Sequence, residues 1–147
     1  MSNFKLSTRS IERLSSCHQV LRHIIYLAIN HTEVDFAITQ GHRTAKEQYA
    51  LFKAGKSKKD GKERKSKHQT YPSEALDFAP IVNGKAVWDH SNCCYVAGVI
   101  MGLGDWYIHD QGEPYKLRWG GNWDSDGTII TDQNFIDLPH IELIRLK

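Results

Sequence analysis

The chain has 147 residues, 40% hydrophobic and 24% charged, which is the size and balance of one globular domain with a real core. It contains no run of eighteen apolar residues, which excludes a membrane-spanning helix. The net charge of +2 is unevenly laid out: from Lys53 to Lys67 eight Lys or Arg face only Asp60 and Glu63, a local +6 against −4 for the rest.

The first residues, Met1-Ser2-Asn3-Phe4-Lys5, lack the basic, apolar and small-residue series of a secretory signal, so synthesis in a cytoplasm is expected. Ile11, Leu14, Leu21, Ile24, Ile25 and Ala28 recur at steps of three and four, which predicts one helix from about Thr8 to Ile29 with Ser7 as its N-cap. Phe36 to Thr39 reads as a short strand, and Gln40-Gly41-His42-Arg43-Thr44 turns the chain. Thr44 can cap a second helix, Ala45 to Ala54, closed by Gly55. Lys56 to Lys67 has no apolar periodicity and is a loop. Its charge is that of a solvated segment or of a patch drawn to a polyanion, either nucleic acid or an anionic cell envelope. No reading helix or aromatic stacking pattern accompanies it, so nucleic acid is not an expected partner.

Ala75 to Ala79 reads as a strand leading into Pro80, and Asn83-Gly84 between apolar runs predicts a hairpin. Ser91 is the expected cap of a third helix that ends near Gly104. Leu117 to Trp119 and His140 to Leu146 complete the strands. Helices mixed with hairpin-linked strands, without regular βαβ repetition, indicate a single α+β domain over residues 1–147 with a small, mainly antiparallel sheet. Cys17, Cys93 and Cys94 form an odd set with one adjacent pair and no C-x-x-C spacing. Neither a disulfide framework nor a thiolate metal site is expected from them.

The chemistry gathers at four positions. Asp77 stands between Leu76 and Phe78, where a carboxylate is costly to bury unless it is paired or binds metal. His68 ends the basic loop, and His140 opens the last strand three residues after Asp137. Two imidazoles and a carboxylate supply three zinc ligands and leave a fourth position for water. Asp137, set off from His140 by a proline turn, is then the group to take that water's proton.

Ser66-x-His68, Ala75-x-Asp77 and Asp137-x-x-His140, in this order, resemble the D-alanyl-D-alanine peptidase superfamily. Within it they resemble the phage L-alanyl-D-glutamate endopeptidases that serve as endolysins. Gly41-His42-Arg43-Thr44 is similar to that family's G-[YHI]-R-[ST] turn, and Arg118-Trp119-Gly120-Gly121-Asn122-Trp123 to its W-G-G-D-W stretch. The resemblance implies the hedgehog/D-Ala-D-Ala peptidase fold. It further implies His68, Asp77 and His140 on zinc, Asp137 as catalytic base, and Arg43 on the substrate carboxylate or developing oxyanion. Ser66 would hydrogen-bond the site on the substrate side; of the tryptophans, read from the residues themselves, one of Trp119 and Trp123 is expected to line the substrate groove, and Trp119 is the choice. The implied activity is hydrolysis of the L-Ala–D-Glu bond of peptidoglycan stem peptides by a monomer. Such an enzyme would be made in the host cytoplasm and reach the periplasmic wall after the membrane is permeabilised. The alternatives are a D,D-carboxypeptidase of the same superfamily and a non-catalytic wall-binding module. The chain departs from the family pattern in the step from His68 to Asp77, which is nine residues rather than seven, and in Asn122, where Asp is usual.

Asn122-x-Asp124-x-Asp126-Gly127 also resembles the start of an EF-hand calcium loop, with Asp132 and Gln133 near its twelfth position. A calcium site on Asn122, Asp124, Asp126 and Asp132 is therefore a further expectation.

Overall fold

The computed structural model describes residues 2–131 and 135–147. Among these, four helices and five strands occur in the order α1 (Thr8–Ser15), α2 (Gln19–His31), β1 (Asp35–Gln40), α3 (Ala45–Lys53), β2 (Ala75–Val82), β3 (Lys85–Ala86), α4 (His90–Gln111), β4 (Tyr115–Gly120) and β5 (Asp137–Arg145). The sheet runs β1-β2-β5-β4, with β3 added to β2, and every pairing is antiparallel. The α+β expectation holds, and no helix among the described residues is long and apolar enough to cross a membrane.

Strand alternation divides the sheet into two faces of different chemistry. Phe36 and Ile38, Leu76 and Phe78, Leu117 and Trp119, and Ile141 and Leu143 join one core cluster with Leu21, Ile24, Ile25 and Ala28 of α2 and Val96, Ala97 and Ile100 of α4. Burying each large aliphatic or aromatic side chain contributes about 1.5–3 kcal/mol, so this face anchors the fold. The intervening residues, Thr39, Asp77, Arg118, His140 and Glu142, fall on the other face, away from the helices.

The caps follow the sequence in part. Ser7 accepts from the Ser10 N–H, and Thr44 forms a capping box with Glu47. Asn83 and Gly84 both take positive φ, 51° and 77°, as a tight hairpin requires.

Four element boundaries differ from expectation. The predicted first helix is two, because the chain breaks at Ser16–His18. There the Ser73 N–H donates to the Ser16 carbonyl and the His18 N–H to the Ser73 carbonyl, while the His18 ring caps α2. The apolar stripe runs through the break and does not register it. The cap of α4 is Asp89, not Ser91, its carboxylate accepting from the Asn92 N–H. The helix continues past Gly104 to Gln111, where Gly112 closes it in the left-handed region at φ 65°. Gly104 is a packing glycine: a Cβ there would lie 2.2 Å from Leu117 Cδ1, so it lets α4 approach β4. The last strand starts at Asp137 rather than His140. Pro139 lies inside it, where the β4 pairing jumps from Trp119↔Ile141 to Gly120↔Asp137, so its missing N–H breaks no ladder bond to β4.

Candidate active site

Each ligand-type side chain reaches the polar face by a different local device. Asp77 sits mid-β2, directly opposite His140 of β5. His68 is carried by one turn of 3-10 helix, Lys67–Gln69, capped by the Ser66 hydroxyl and the Gln69 side chain. The turn is docked by a hydrogen bond from the Arg43 N–H to the His68 carbonyl at 2.8 Å. Across the nine-residue step to Asp77, Ser73 forms an isolated bridge to Cys17, and the His68 and Asp77 side chains come within 3.5 Å of each other. Loops absorb added length at small cost.

The outcome is a tight cluster. One donor atom from each of His68, Asp77 and His140 lies within 4.8 Å of the others, and this is the group among the described residues able to hold a metal ion. His68 Nδ1 is 2.8 Å from the Gly41 carbonyl, which leaves Nε2 turned toward Asp77 Oδ1 at 3.5 Å. That Nε2 is buried and has no hydrogen-bond partner among the described residues. His140 Nδ1 lies 3.2 Å from the same Asp77 oxygen. A buried imidazole nitrogen without a partner, beside a second imidazole and a shared carboxylate, is the donor chemistry of a divalent transition-metal site.

The electrostatics are strongly coupled without a metal. Burial opposes the Asp77 charge, but the hydrogen bond with His140 and the charge of the two imidazoles outweigh it and hold the carboxyl well below the usual range. Burial likewise works against charged His140, yet Asp77 and Glu142 raise it to about 9. Asp137 is pushed up, first by burial and then by the Asp77 charge, against the pull of His140, His68 and Arg43. A carboxyl raised in this way is a better proton acceptor than a solvated one.

These groups line a cavity of about 670 Å³. Its wall carries Arg43, Ser66, Asp137, Lys56, Lys58, Lys59 and Lys67, with Trp88, Trp123 and Phe135 as the aromatic surfaces. Trp119, expected against the substrate, lies instead in the core cluster at 7% exposure, and its indole N–H donates to the Leu138 carbonyl. Odd–even alternation along β4 turns it away from the cavity, and Trp123 lies there instead, 5.3 Å from the His140 ring. The proline turn expected between Asp137 and His140 is a bulged stretch of strand, which still separates the two side chains.

Two polar residues that sequence patterns did not single out shape the site. Glu142, 2% exposed, contacts His140 and Arg118. A charge between Ile141 and Leu143 was the available signal. Gln48, fully buried on α3, accepts from Arg43 Nη1 at 2.6 Å and donates to the Ser57 hydroxyl and Lys59 carbonyl, both at 2.8 Å. It ties the Arg43 guanidinium to the basic segment, which is therefore held against the domain rather than merely solvated. Burial lowers the Arg43 pKa against the raising charges of Asp77 and Asp137. Gln48→Ala leaves buried polar groups on both sides unpaired. It should cost about 1–3 kcal/mol in thermal or denaturant unfolding. In steady-state kinetics it should raise KM more than it lowers kcat, with metal content unchanged.

The calcium-type loop is only partly gathered. Asp124 Oδ1 accepts from the Asp126 N–H and Asp126 Oδ1 from the Thr128 N–H, both at the surface. Asn122 Oδ1 is buried and has no hydrogen-bond partner among the described residues. Asp132 lies outside the described residues.

The sequence profile of the phage L-alanyl-D-glutamate peptidases matches residues 1–144. The chain belongs to that family. The L-alanyl-D-glutamate peptidase of Escherichia phage T5 is 29% identical over 97% of this chain and 99% of its own length. The peptidoglycan L-alanyl-D-glutamate endopeptidase CwlK of Bacillus subtilis is 30% identical over 76% of this chain and 62% of its own. The crystal structure of the Serratia marcescens L-Ala D-Glu endopeptidase ChiX superposes with a TM-score of 0.71 at 23% identity, covering 97% of this chain and 92% of that one. That last likeness establishes that this member of the phage L-alanyl-D-glutamate peptidase family shares the endopeptidase fold.

Proposed function

We propose that the protein is a zinc-dependent endolysin that hydrolyses the bond between L-alanine and D-glutamate in peptidoglycan stem peptides. The observation that carries this reading is the cluster of His68, Asp77 and His140 on the floor of a cation-walled cavity that also holds Asp137 and Arg43. The residues fit zinc: two imidazoles, one carboxylate and an unpartnered buried nitrogen on His68. Bound there, zinc supplies a Lewis acid that makes water a nucleophile near neutral pH.

The chain's own groups do the rest. Asp137 takes the proton of the attacking water and hands it to the leaving amine of D-glutamate. Arg43, held by Gln48, offers its guanidinium to the substrate carboxylate or to the oxygen that gains charge as the carbonyl is attacked. Ser66 sets the His68 turn by accepting the His68 N–H. Lys56, Lys58, Lys59 and Lys67 give the cavity a positive wall suited to an acidic stem peptide and an anionic envelope. The enzyme would act as a monomer on the host wall once the membrane has been permeabilised.

Digestion of purified muropeptides tests the reading. Products ending in L-alanine, with D-glutamate as the new N-terminus, support it. Release of D-alanine would instead identify a D,D-carboxypeptidase, and sacculus binding without any cleavage a wall-binding module.

Calcium at Asn122, Asp124, Asp126 and Asp132 is a second reading, favoured by the buried Asn122 oxygen, which has no hydrogen-bond partner among the described residues. Absence of calcium heat in isothermal titration, with activity unchanged by a calcium-selective chelator, would eliminate it.

A further inference from the structure

We propose that Glu142, anchored by Arg118, is a positioning residue that selects which nitrogen of His140 faces the metal. The inference rests on the metallopeptidase reading above and concerns residues outside its ligand set.

Sheet register places the groups in line. Asp77 of β2 is paired with His140 of β5, and Glu142, two residues on and therefore on the same face, is paired with Arg118 of β4. The His140 ring is held at both edges: Nδ1 lies 3.2 Å from Asp77 Oδ1, and Nε2 lies 2.8 Å from Glu142 Oε1. The other Glu142 oxygen, Oε2, accepts from Arg118 Nη2 at 2.9 Å. Each carboxylate oxygen thus has one partner, and the carboxylate cannot turn without losing both.

Trp123 fixes the remaining freedom. Its ring lies against His140 with centroids 5.3 Å apart, and the Arg118 guanidinium sits 5.5 Å over the same indole. His140 is therefore bounded by a carboxylate at each edge and an aromatic plane on one face.

A carboxylate that is 2% exposed is costly to keep unless it does something an apolar side chain of similar volume would not. Here it accepts the Nε2 hydrogen. With that hydrogen held at Nε2, Nδ1 would be free to give its lone pair to a metal held together with Asp77 and His68. Outer partners of this kind fix the tautomer and orientation of a ligating imidazole, and losing one typically weakens metal affinity by about 10–100-fold. His68 has the equivalent support from a backbone carbonyl, that of Gly41. The two imidazoles are thus supported in opposite senses, His68 to present Nε2 and His140 to present Nδ1.

Zinc affinity of wild type and Glu142→Gln, measured by competition with a chromophoric chelator, tests the proposal alongside metal-free melting temperatures. The expected result is zinc binding about 10–100-fold weaker in the variant, a metal-free melting temperature within a few degrees of wild type, and turnover recovered in excess zinc. Wild-type affinity in Glu142→Gln would overturn the proposal and leave Glu142 as an ion-pair partner of Arg118. The second measurement needs no variant: long-range proton–nitrogen NMR of zinc-loaded wild type should find His140 metal-bound through Nδ1 and protonated at Nε2. The reverse assignment would overturn it. If wild type takes up no zinc, the metallopeptidase reading falls as well, an outcome distinct from zinc uptake that is indifferent to Glu142.

Discussion

His68→Ala should lose bound zinc and lytic activity together. The side chain is 2% exposed, and its Nε2 is buried with no hydrogen-bond partner among the described residues. Removing it leaves one imidazole and one carboxylate, too few to hold zinc against water and competing ligands in a site of three protein donors. Loss of the metal removes several kcal/mol of charge stabilisation at the reacting carbonyl, and each 1.36 kcal/mol is tenfold in rate. A fall of about a thousandfold or more in muropeptide cleavage is therefore expected, with metal content near zero. Folding should survive. His68 belongs to a single 3-10 turn whose position is also fixed by backbone bonds from Arg43 to His68 and from Glu74 to Lys67. Metal analysis beside a cleavage assay and a circular dichroism melt separates the possibilities. Full activity without His68 would refute the zinc assignment.

Asp137→Asn should behave in the opposite way toward the metal. Asp137 lines the cavity but is not among the three clustered donors, so zinc should stay at one per chain. The amide is nearly the same size and still accepts hydrogen bonds at its oxygen, but it cannot take up and return a proton. Loss of a positioned general base costs roughly a hundredfold to ten-thousandfold. The loss should fall on kcat, because ground-state binding through Arg43 and the cationic wall is left intact. The backbone around it should hold, since Gly120 opposite allows a close approach: a Cβ at Gly120 would lie 1.9 Å from the Asp137 carbonyl oxygen. Retained turnover in the amide variant would refute the base assignment, and loss of zinc would make Asp137 a ligand instead. Together the two variants distinguish a metal-holding role from a proton-transfer role at neighbouring positions.

The sequence by itself determined the main strands, the hairpin at Asn83-Gly84, the capped helix after Thr44 and the three clustered residues His68, Asp77 and His140. These are legible because they depend on local rules. A strand alternates every second residue, so Leu76-Asp77-Phe78 and Ile141-Glu142-Leu143 already announce an apolar face and a polar one. A cap satisfies N–H groups only a few residues away. The ordered motifs then supplied the family, which no single histidine could have done.

Only the tertiary structure decided what depends on partners far along the chain. The break between α1 and α2 is made by Ser73, more than fifty residues away in sequence, so helical periodicity runs straight past it. Gly104 reads as a helix end until Leu117 is seen against it. Trp119 and Trp123 are both plausible groove aromatics until the face of β4 is fixed, and that face is set by pairing with β5. The support around the site has the same origin. Gln48 gains its role from the segment folded over it, and Glu142 from the cross-strand register that sets it between His140 and Arg118. Alternation within a strand is local and survives in the sequence. Register between strands is fixed by the burial of the whole apolar face, so it exists only once the sheet has closed on its helices.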